Sequence, residues 1–288
     1  MVIGLTLFRK IVPLVVRQLL KRGYRAAHRF AMERILEPAE LLAGLRNSLT
    51  PPRSKIYVGD GDFNTVGEEF RQYFIDLCAL KPDAAVLKVG CGIGRIAVPL
   101  TRYLSAAGSY EGFDPVPGSI DWCQQYITPR FPNFRFQQVD IRNAFYCSGD
   151  QHGAISYRFS YADNQFDVVV IVTVFTHMAI TEISNYLDEI KWVLKPGGRC
   201  FTSFFLLDDE SRRLMSTPAS TYNFQYLFEG RQAFDPQNPS TGSAHDEQQI
   251  LDLFGEHGLS VDYPIYHGSW SGRQPALSFV DSIVVRKP

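Results

Sequence analysis

The sequence predicts a doubly wound α/β sheet, and three features predict it. From Ala85 onward, short apolar runs alternate with stretches of helical periodicity. The first apolar run ends in a glycine-rich turn, Gly90-Cys91-Gly92-Ile93-Gly94, and a later run, Phe166 to Val172, is almost wholly apolar and β-branched. A strand of that kind is covered on both faces, as in a parallel sheet, and strand–helix alternation supplies the crossovers that parallel neighbours need. A hydrophobic content of 45% with 20% charged residues over 288 residues excludes a disordered, collagen-like or coiled-coil chain.

The first 32 residues stand apart. They hold seven basic residues, Arg9, Lys10, Arg17, Lys21, Arg22, Arg25 and Arg29, and no acid, which leaves 22 basic against 30 acidic residues for the rest. Leu5, Phe8, Val12, Val15, Val16, Leu19 and Leu20 recur at helical spacing with the basic residues largely between them, so residues 1–50 are expected to form a basic amphipathic helical extension, with Pro13 against it. The apolar run before Arg9 is too short to cross a bilayer, and no cleavage site of the secretory type follows. Three readings stay open: a helix lying on an anionic membrane through residues 1–32, an organelle transit peptide, or a helix docked on its own domain with its basic face in water. Thr50-Pro51-Pro52-Arg53 breaks any helix and marks the expected entry to a main domain, residues 51–288.

In that domain Ala85 to Val89 reads as the first strand, and Ile96, Ala97, Leu100 and Leu104 as the stripe of the helix after the glycine turn. Ser109 to Phe113 reads as a second strand ending at Asp114, 20 residues beyond Gly94, and Phe134 to Val139 as a third ending at Asp140. Phe166 to Val172 is the fourth. Ile183, Tyr186, Leu187, Ile190, Val193 and Leu194 form a helix stripe that Lys195-Pro196-Gly197-Gly198 ends before a fifth strand, Arg199 to Phe205.

A glycine turn between strand and helix lets backbone approach a ligand, and an acid at the end of the next strand can accept from both hydroxyls of a ribose. Asp140 is then placed to meet an adenine edge. A dinucleotide fingerprint begun at Gly90 fails at Arg95; begun at Gly92 it gives the variant ending at Ala97, which keeps an NAD-dependent oxidoreductase open but leaves the later blocks unexplained.

Val86 to Arg95, Gly112-Phe113-Asp114, Val139-Asp140-Ile141, Phe166 to Val169 and Val193 to Arg199 together resemble the class I S-adenosylmethionine (SAM) dependent methyltransferases, of the bacterial small-molecule type, over about residues 68–287. The resemblance implies a Rossmann-like, seven-stranded, mostly parallel sheet whose last strand, here Ser278 to Arg286, is antiparallel. It also implies SAM as cofactor, with Gly90, Cys91, Gly92 and Gly94 passing the methionine part, Asp114 and Pro115 beside the ribose, Asp140 and Ile141 at the adenine, and Thr173 lining the cofactor. One position departs: Lys88 stands where the family carries an acid that anchors the SAM ammonium, and a cation there cannot accept its hydrogen bonds. Lys88 is expected to weaken SAM binding, to turn outward or pair with the SAM carboxylate, or to mark a relative without catalysis that serves as a binding or scaffold protein.

Ligands of such a sheet bind beyond the carboxyl ends of its strands, so the loop Thr173 to Met178 faces the reaction zone and His177 is the candidate general base, against the alternative of a histidine that packs its helix. Asp208, Asp209 and Glu210 approach from the fifth strand's end or form a solvated turn. Insertions at residues 142–165 and 211–245 are expected to dress the site; Tyr222, Phe224, Tyr226, Leu227, Phe228 and Phe234 of the second surround an apolar or aromatic acceptor or build a small core of their own. The segment Tyr266 to Arg273 resembles a turn recurrent in the same enzymes. Five cysteines, Cys78, Cys91, Cys123, Cys147 and Cys200, lack any CxxC pair, and six histidines show no HxxxH spacing, so neither a disulfide framework, a zinc site nor any other metal is expected. The acidic main domain argues against nucleic acid as a partner, and a cytoplasmic protein acting on a small molecule is the expectation.

Overall fold

The computed structural model describes residues 32–44, 46–56, 61–141 and 154–288. The chain divides into two compact units, Met1–Asp60 and Gly61–Pro288. The basic helix expected within residues 1–32 therefore lies almost wholly outside the described residues, as do residues 142–153 of the first insertion. No helix among the described residues is long and apolar enough to cross a membrane.

In the first unit a wide helical turn, Met32–Leu36, leads into α1 (Glu37–Leu42). Arg53 grips that helix: its backbone N–H donates to Glu37 at 2.8 Å, and its guanidinium takes both oxygens of Glu40 at 2.8 and 3.0 Å.

The second unit is the α/β layer structure. α2 (Phe63–Cys78) begins at Asp62, whose carboxylate accepts from Asn64 and Thr65 N–H. Five strands then follow in parallel: β1 (Ala85–Val89), β2 (Ser109–Asp114), β3 (Phe134–Gln138), β4 (Phe166–Ile171) and β5 (Leu194–Phe204). They alternate with α3 (Ala97–Leu100), α4 (Pro117–Tyr126) and α5 (Ile180–Val193). The helix after the glycine turn is shorter than its stripe implied. Pro99 sits inside it, and the chain continues in turns that still bury Leu100 and Leu104. Likewise Lys195 to Gly198 does not separate helix from strand; it is already part of β5, where Gly197 takes φ +78° and pairs by its N–H with the Lys287 carbonyl.

After β5 come the short β6 (Leu206–Leu207), α6 (Asp209–Met215), β7 (Tyr226–Phe228), β8 (Arg231–Ala233) and β9 (Ser243–Asp246). Then come α7 (Glu247–Glu256), β10 (Ser260–Tyr266) and β11 (Asp281–Arg286), α7 beginning at the N-cap Asp246, just past the second insertion. The main sheet has the order β10-β11-β5-β4-β1-β2-β3, with β11 antiparallel to both neighbours, so the expected seven-stranded, mostly parallel sheet is present. The second insertion forms a separate small sheet, β6-β9-β8-β7.

Two cores follow from this layering. Leu87, Val89, Val169, Ile171, Phe204 and Ile283 of the sheet pack with Ile183, Leu187 and Ile190 of α5 and Phe254 of α7. On the opposite side Phe74 of α2 meets the ring of Phe201 edge-on, 5.3 Å between centroids. Burying each such side chain contributes roughly 1.5–3 kcal/mol. The second core joins the insertion to its neighbours: Phe224 and Ala244 pack with Phe205, Leu207 and Trp270, and Tyr222 and Phe234 pack against them.

Candidate functional site

The carboxyl ends of β1, β2 and β4 lie at one edge because their pairing is in parallel register, Val89 opposite both Phe113 and Ile171. The glycine turn leaves that edge with Gly90, Gly92 and Gly94 at φ +65°, +53° and +85°, conformations that side chains rarely adopt. Each glycine has a different second reason. A Cβ on Gly90 would stand 2.6 Å from Val174 Cγ2, and one on Gly94 would stand 2.9 Å from Ile127 Cδ1, so these two are filled by the protein itself. A Cβ on Gly92 would meet nothing within 4 Å, so its face is open to a ligand.

Asp114 closes the turn from β2. Its carboxylate accepts from Gly92 N–H at 2.8 Å and Val116 N–H at 2.9 Å, and each oxygen keeps a further lone pair for a donor. Burial raises its pKa, against these two hydrogen bonds and the Lys88 charge. Pro115 follows at the partly exposed start of the next turn; beyond β3, Asp140 is exposed and Ile141 buried. Thr173 holds φ +57°, donates its N–H to the Ser203 hydroxyl oxygen at 2.8 Å and is exposed at the same edge. Cys91 and Cys123 are buried free thiols, both with pKa pushed up by burial.

Lys88 does not turn outward. It is 2% exposed, and its ammonium donates to the carbonyls of Val89 and Gly90 at 2.6 and 2.9 Å, with Val172 O at 3.5 Å. Burial pushes its pKa down to about 8, while Cys91, Asp114 and Cys200 act in the opposite sense. The cation thus ties the ends of β1 and β4 together, and its donors are spent on backbone.

His177 lies on a single helical turn, Phe175–His177, that continues from β4. Its Nδ1 is 2.9 Å from the Ser240 carbonyl, and a carbonyl only accepts, so Nδ1 carries the proton and Nε2 is the unprotonated nitrogen. Burial lowers its pKa, so the ring is neutral near pH 7.

Other expected groups are distributed differently. Asp208 is neither a substrate group on this edge nor a solvated acid: it caps α6 through Ser211 N–H and receives the Arg273 guanidinium on both oxygens at 2.7 and 2.6 Å. The aromatic set of the insertion divides, with Tyr222, Phe224 and Phe234 in its core and Tyr226, Leu227 and Phe228 exposed on β7. Sequence spacing missed two clusters. Asp208, Glu247 and His267 come within 4.8 Å of one another, but Arg273 already holds Asp208, and His267 Nε2 is 2.6 Å from Glu247. The other is Arg231 and His245, both buried and far apart in sequence.

A family model described as Methyltransferase domain matches residues 86–198. Sterol 24-C-methyltransferase erg6 of Schizosaccharomyces pombe is 27% identical over 145 residues, 50% of this chain and 34% of that protein, so the match spans about a third of that relative's length. Among solved structures, the PH0226 protein of Pyrococcus horikoshii OT3 aligns with a TM-score of 0.56 at 16% identity, covering 82% of this chain and 95% of that one. The (4+2)-cyclase SpnF aligns at 0.51 and 17% identity, covering 81% and 85%. These structural likenesses concern the fold, and a cyclase among them shows that the fold alone does not name a reaction. The family match is to methyltransferases, which favours that reading over the dinucleotide alternative.

The residues present fit SAM at its nucleoside end, where the open face of Gly92 would admit the chain of the cofactor and the lone pairs of Asp114 would receive ribose hydroxyls. At the ammonium end the fit is poorer, since Lys88 engages the Gly90 carbonyl. The match over residues 86–198 identifies a methyltransferase domain there, and the sheet order and the glycine turn with Asp114 support the class I SAM-dependent family, with S-adenosylmethionine as cofactor.

Proposed function

We propose that the protein transfers a methyl group to a small, apolar or aromatic acceptor, with Asp114, Pro115, Asp140, Ile141, Thr173 and the Gly90–Gly94 turn holding the cofactor and His177 serving as general base. The observation that carries this reading is the close approach of Gly90 to Val174, which puts the glycine turn directly against the loop that bears His177. SAM supplies an electrophilic methyl carbon when bound. The chain's part is to hold an acceptor in line with that carbon and to take its proton at Nε2 of His177, the nitrogen left basic by the hydrogen bond to Ser240.

Turnover of methyl-labelled SAM against a panel of phenols, alcohols and amines tests the reading. In His177→Gln, kcat is expected to fall by about 10²–10⁴, the usual contribution of a positioned base, with SAM affinity unchanged. Unchanged turnover removes His177 from the mechanism.

A second reading rests on Lys88, whose ammonium occupies a carbonyl of the cofactor turn. It makes the chain a methyltransferase-like binding or scaffold protein. Absence of SAM binding by the natural sequence, restored in Lys88→Asp, favours it.

A further inference from the structure

The second insertion buries a cation whose Nε has no hydrogen-bond partner. Arg231 of β8 is 5% exposed, and its Nε makes no hydrogen bond. Its nearest carboxylates, Glu229 and Glu182, stand at 3.8 and 4.0 Å, beyond hydrogen-bond distance. Glu182 is already committed to Ala179 N–H at 2.7 Å, and Glu229 is exposed at the hairpin. The guanidinium carbon lies 5.5 Å from the centre of the Phe228 ring.

The register of β8 with β9, Gln232 opposite Ala244 and Ala233 opposite Ser243, continues to Arg231 opposite His245. His245 is 1% exposed, and neither ring nitrogen makes a well-aligned hydrogen bond. Burial, then the Arg231 charge, pushes its pKa down to about 4, against hydrogen bonding to the backbone of Met178 and Phe175. Those two residues flank His177, whose own pKa the Arg231 charge also lowers. Both imidazoles are therefore neutral near pH 7, and the Arg231 charge acts on both.

Buried donors without acceptors are rare in folded proteins, because each costs about 1–3 kcal/mol in desolvation. A guanidinium N–H, a neutral imidazole that can donate and accept, and an aromatic ring beside them can together receive an acidic hydroxyl on an apolar ring. We propose that Arg231 and His245 form the acceptor subsite, and that they bind the hydroxyl oxygen of a phenol or enol. The inference rests on the methyltransferase reading and names its acceptor class. In the reaction the acceptor O–H bond breaks and its proton passes to His177 Nε2, and the oxygen's electron pair forms the bond to the methyl carbon. The S–CH₃ bond breaks, its electrons stay on sulfur, and the imidazolium later returns the proton to water. The guanidinium holds the oxygen while negative charge develops on it.

The test uses the full chain with 4-nitrophenol, whose phenolate absorbs in the visible, and 4-nitroanisole, which lacks the hydroxyl. Bound 4-nitrophenol is expected to ionise more readily than the free compound, its apparent pKa falling by roughly one, a tenfold change. Arg231→Met is expected to abolish the shift and Arg231→Lys to keep part of it. His245→Gln is expected to weaken binding while leaving the protein folded by circular dichroism. Equal binding of the two probes, no binding of 4-nitrophenol up to ~10 mM, where affinity is below ~3 kcal/mol, or an unchanged shift in folded Arg231→Met overturns the proposal. SAM is titrated separately into each protein. A shift with no SAM binding removes the methyltransferase reading and keeps the subsite, whereas SAM binding with no shift does the reverse.

Discussion

Replacing Lys88 by methionine removes a cation that folding has taken out of water. Burial brings its pKa from 10.5 to about 8, and that gap corresponds to ~3 kcal/mol of cost to the folded state while the amine is charged. The folded pKa lies below the unfolded one, so between about 8 and 10.5 the unfolded chain binds the proton and the folded chain does not. The natural protein therefore gains ~3 kcal/mol with rising pH in this window, and Lys88→Met does not gain it. Urea unfolding of both proteins from pH 7 to pH 10.5 measures the difference. The buried cysteines and tyrosines titrate in both proteins and largely cancel. At pH 7 the substitution also deprives the carbonyls of Val89 and Gly90 of a donor, about 1 kcal/mol each, so the net effect there is smaller than the full ~3 kcal/mol. The pH slope of the difference is the sharper quantity. A difference that stays flat across the window refutes the buried, charged position of Lys88.

Three further outcomes follow from the geometry, and a fourth test addresses the basic segment read from the sequence. Gly90→Ala places a methyl against Val174 at a positive φ and is expected to cost about 2–4 kcal/mol in thermal or urea unfolding, whereas Gly92→Ala, with open space above it, costs about 1–2 kcal/mol and weakens SAM binding instead. Asp281 accepts from Leu206, Gly268 and Trp270 N–H, yet burial raises its pKa to about 6, so stability falls by ~3 kcal/mol as pH rises from about 4 to 6, and Asp281→Asn abolishes that fall. The acid limb of the rate profile is expected below the ordinary histidine value of 6.5, because burial lowers the His177 pKa; a limb above 6.5 excludes it as the base. Sedimentation with anionic vesicles of the protein with and without residues 1–32 decides among the three readings of that segment: retention that depends on it supports the membrane reading, and equal partitioning removes it.

The central sheet was legible because its inner strands are buried on both faces: Phe166 to Ile171 reads as an interior strand, and Asp114 at a strand end announces itself by its distance from the glycine turn. The glycines were legible as a turn but not in their separate reasons, since only packing reveals that Gly90 and Gly94 abut Val174 and Ile127 while Gly92 faces open space. Lys88 was visible as a departure, but its direction was not, because three backbone carbonyls from two strands decide it. The small sheet escaped prediction: β8 and β9 are short, and a strand reading Ser243-Ala-His-Asp carries no apolar alternation. With it went Arg231 and His245, whose partnership depends on a register that only a folded hairpin sets. Asp208, Glu247 and His267 were hidden for the same reason, lying on separate elements that tertiary packing brings together.

Calorimetric titration of SAM into the natural protein and into Asp114→Asn tests the account most directly. The account predicts a Kd in the micromolar range for the natural sequence, about 8 kcal/mol of affinity, and at least a tenfold loss in the variant, which removes one carboxylate oxygen from the ribose site. No heat of binding from folded natural protein contradicts it, and so does undiminished affinity in Asp114→Asn.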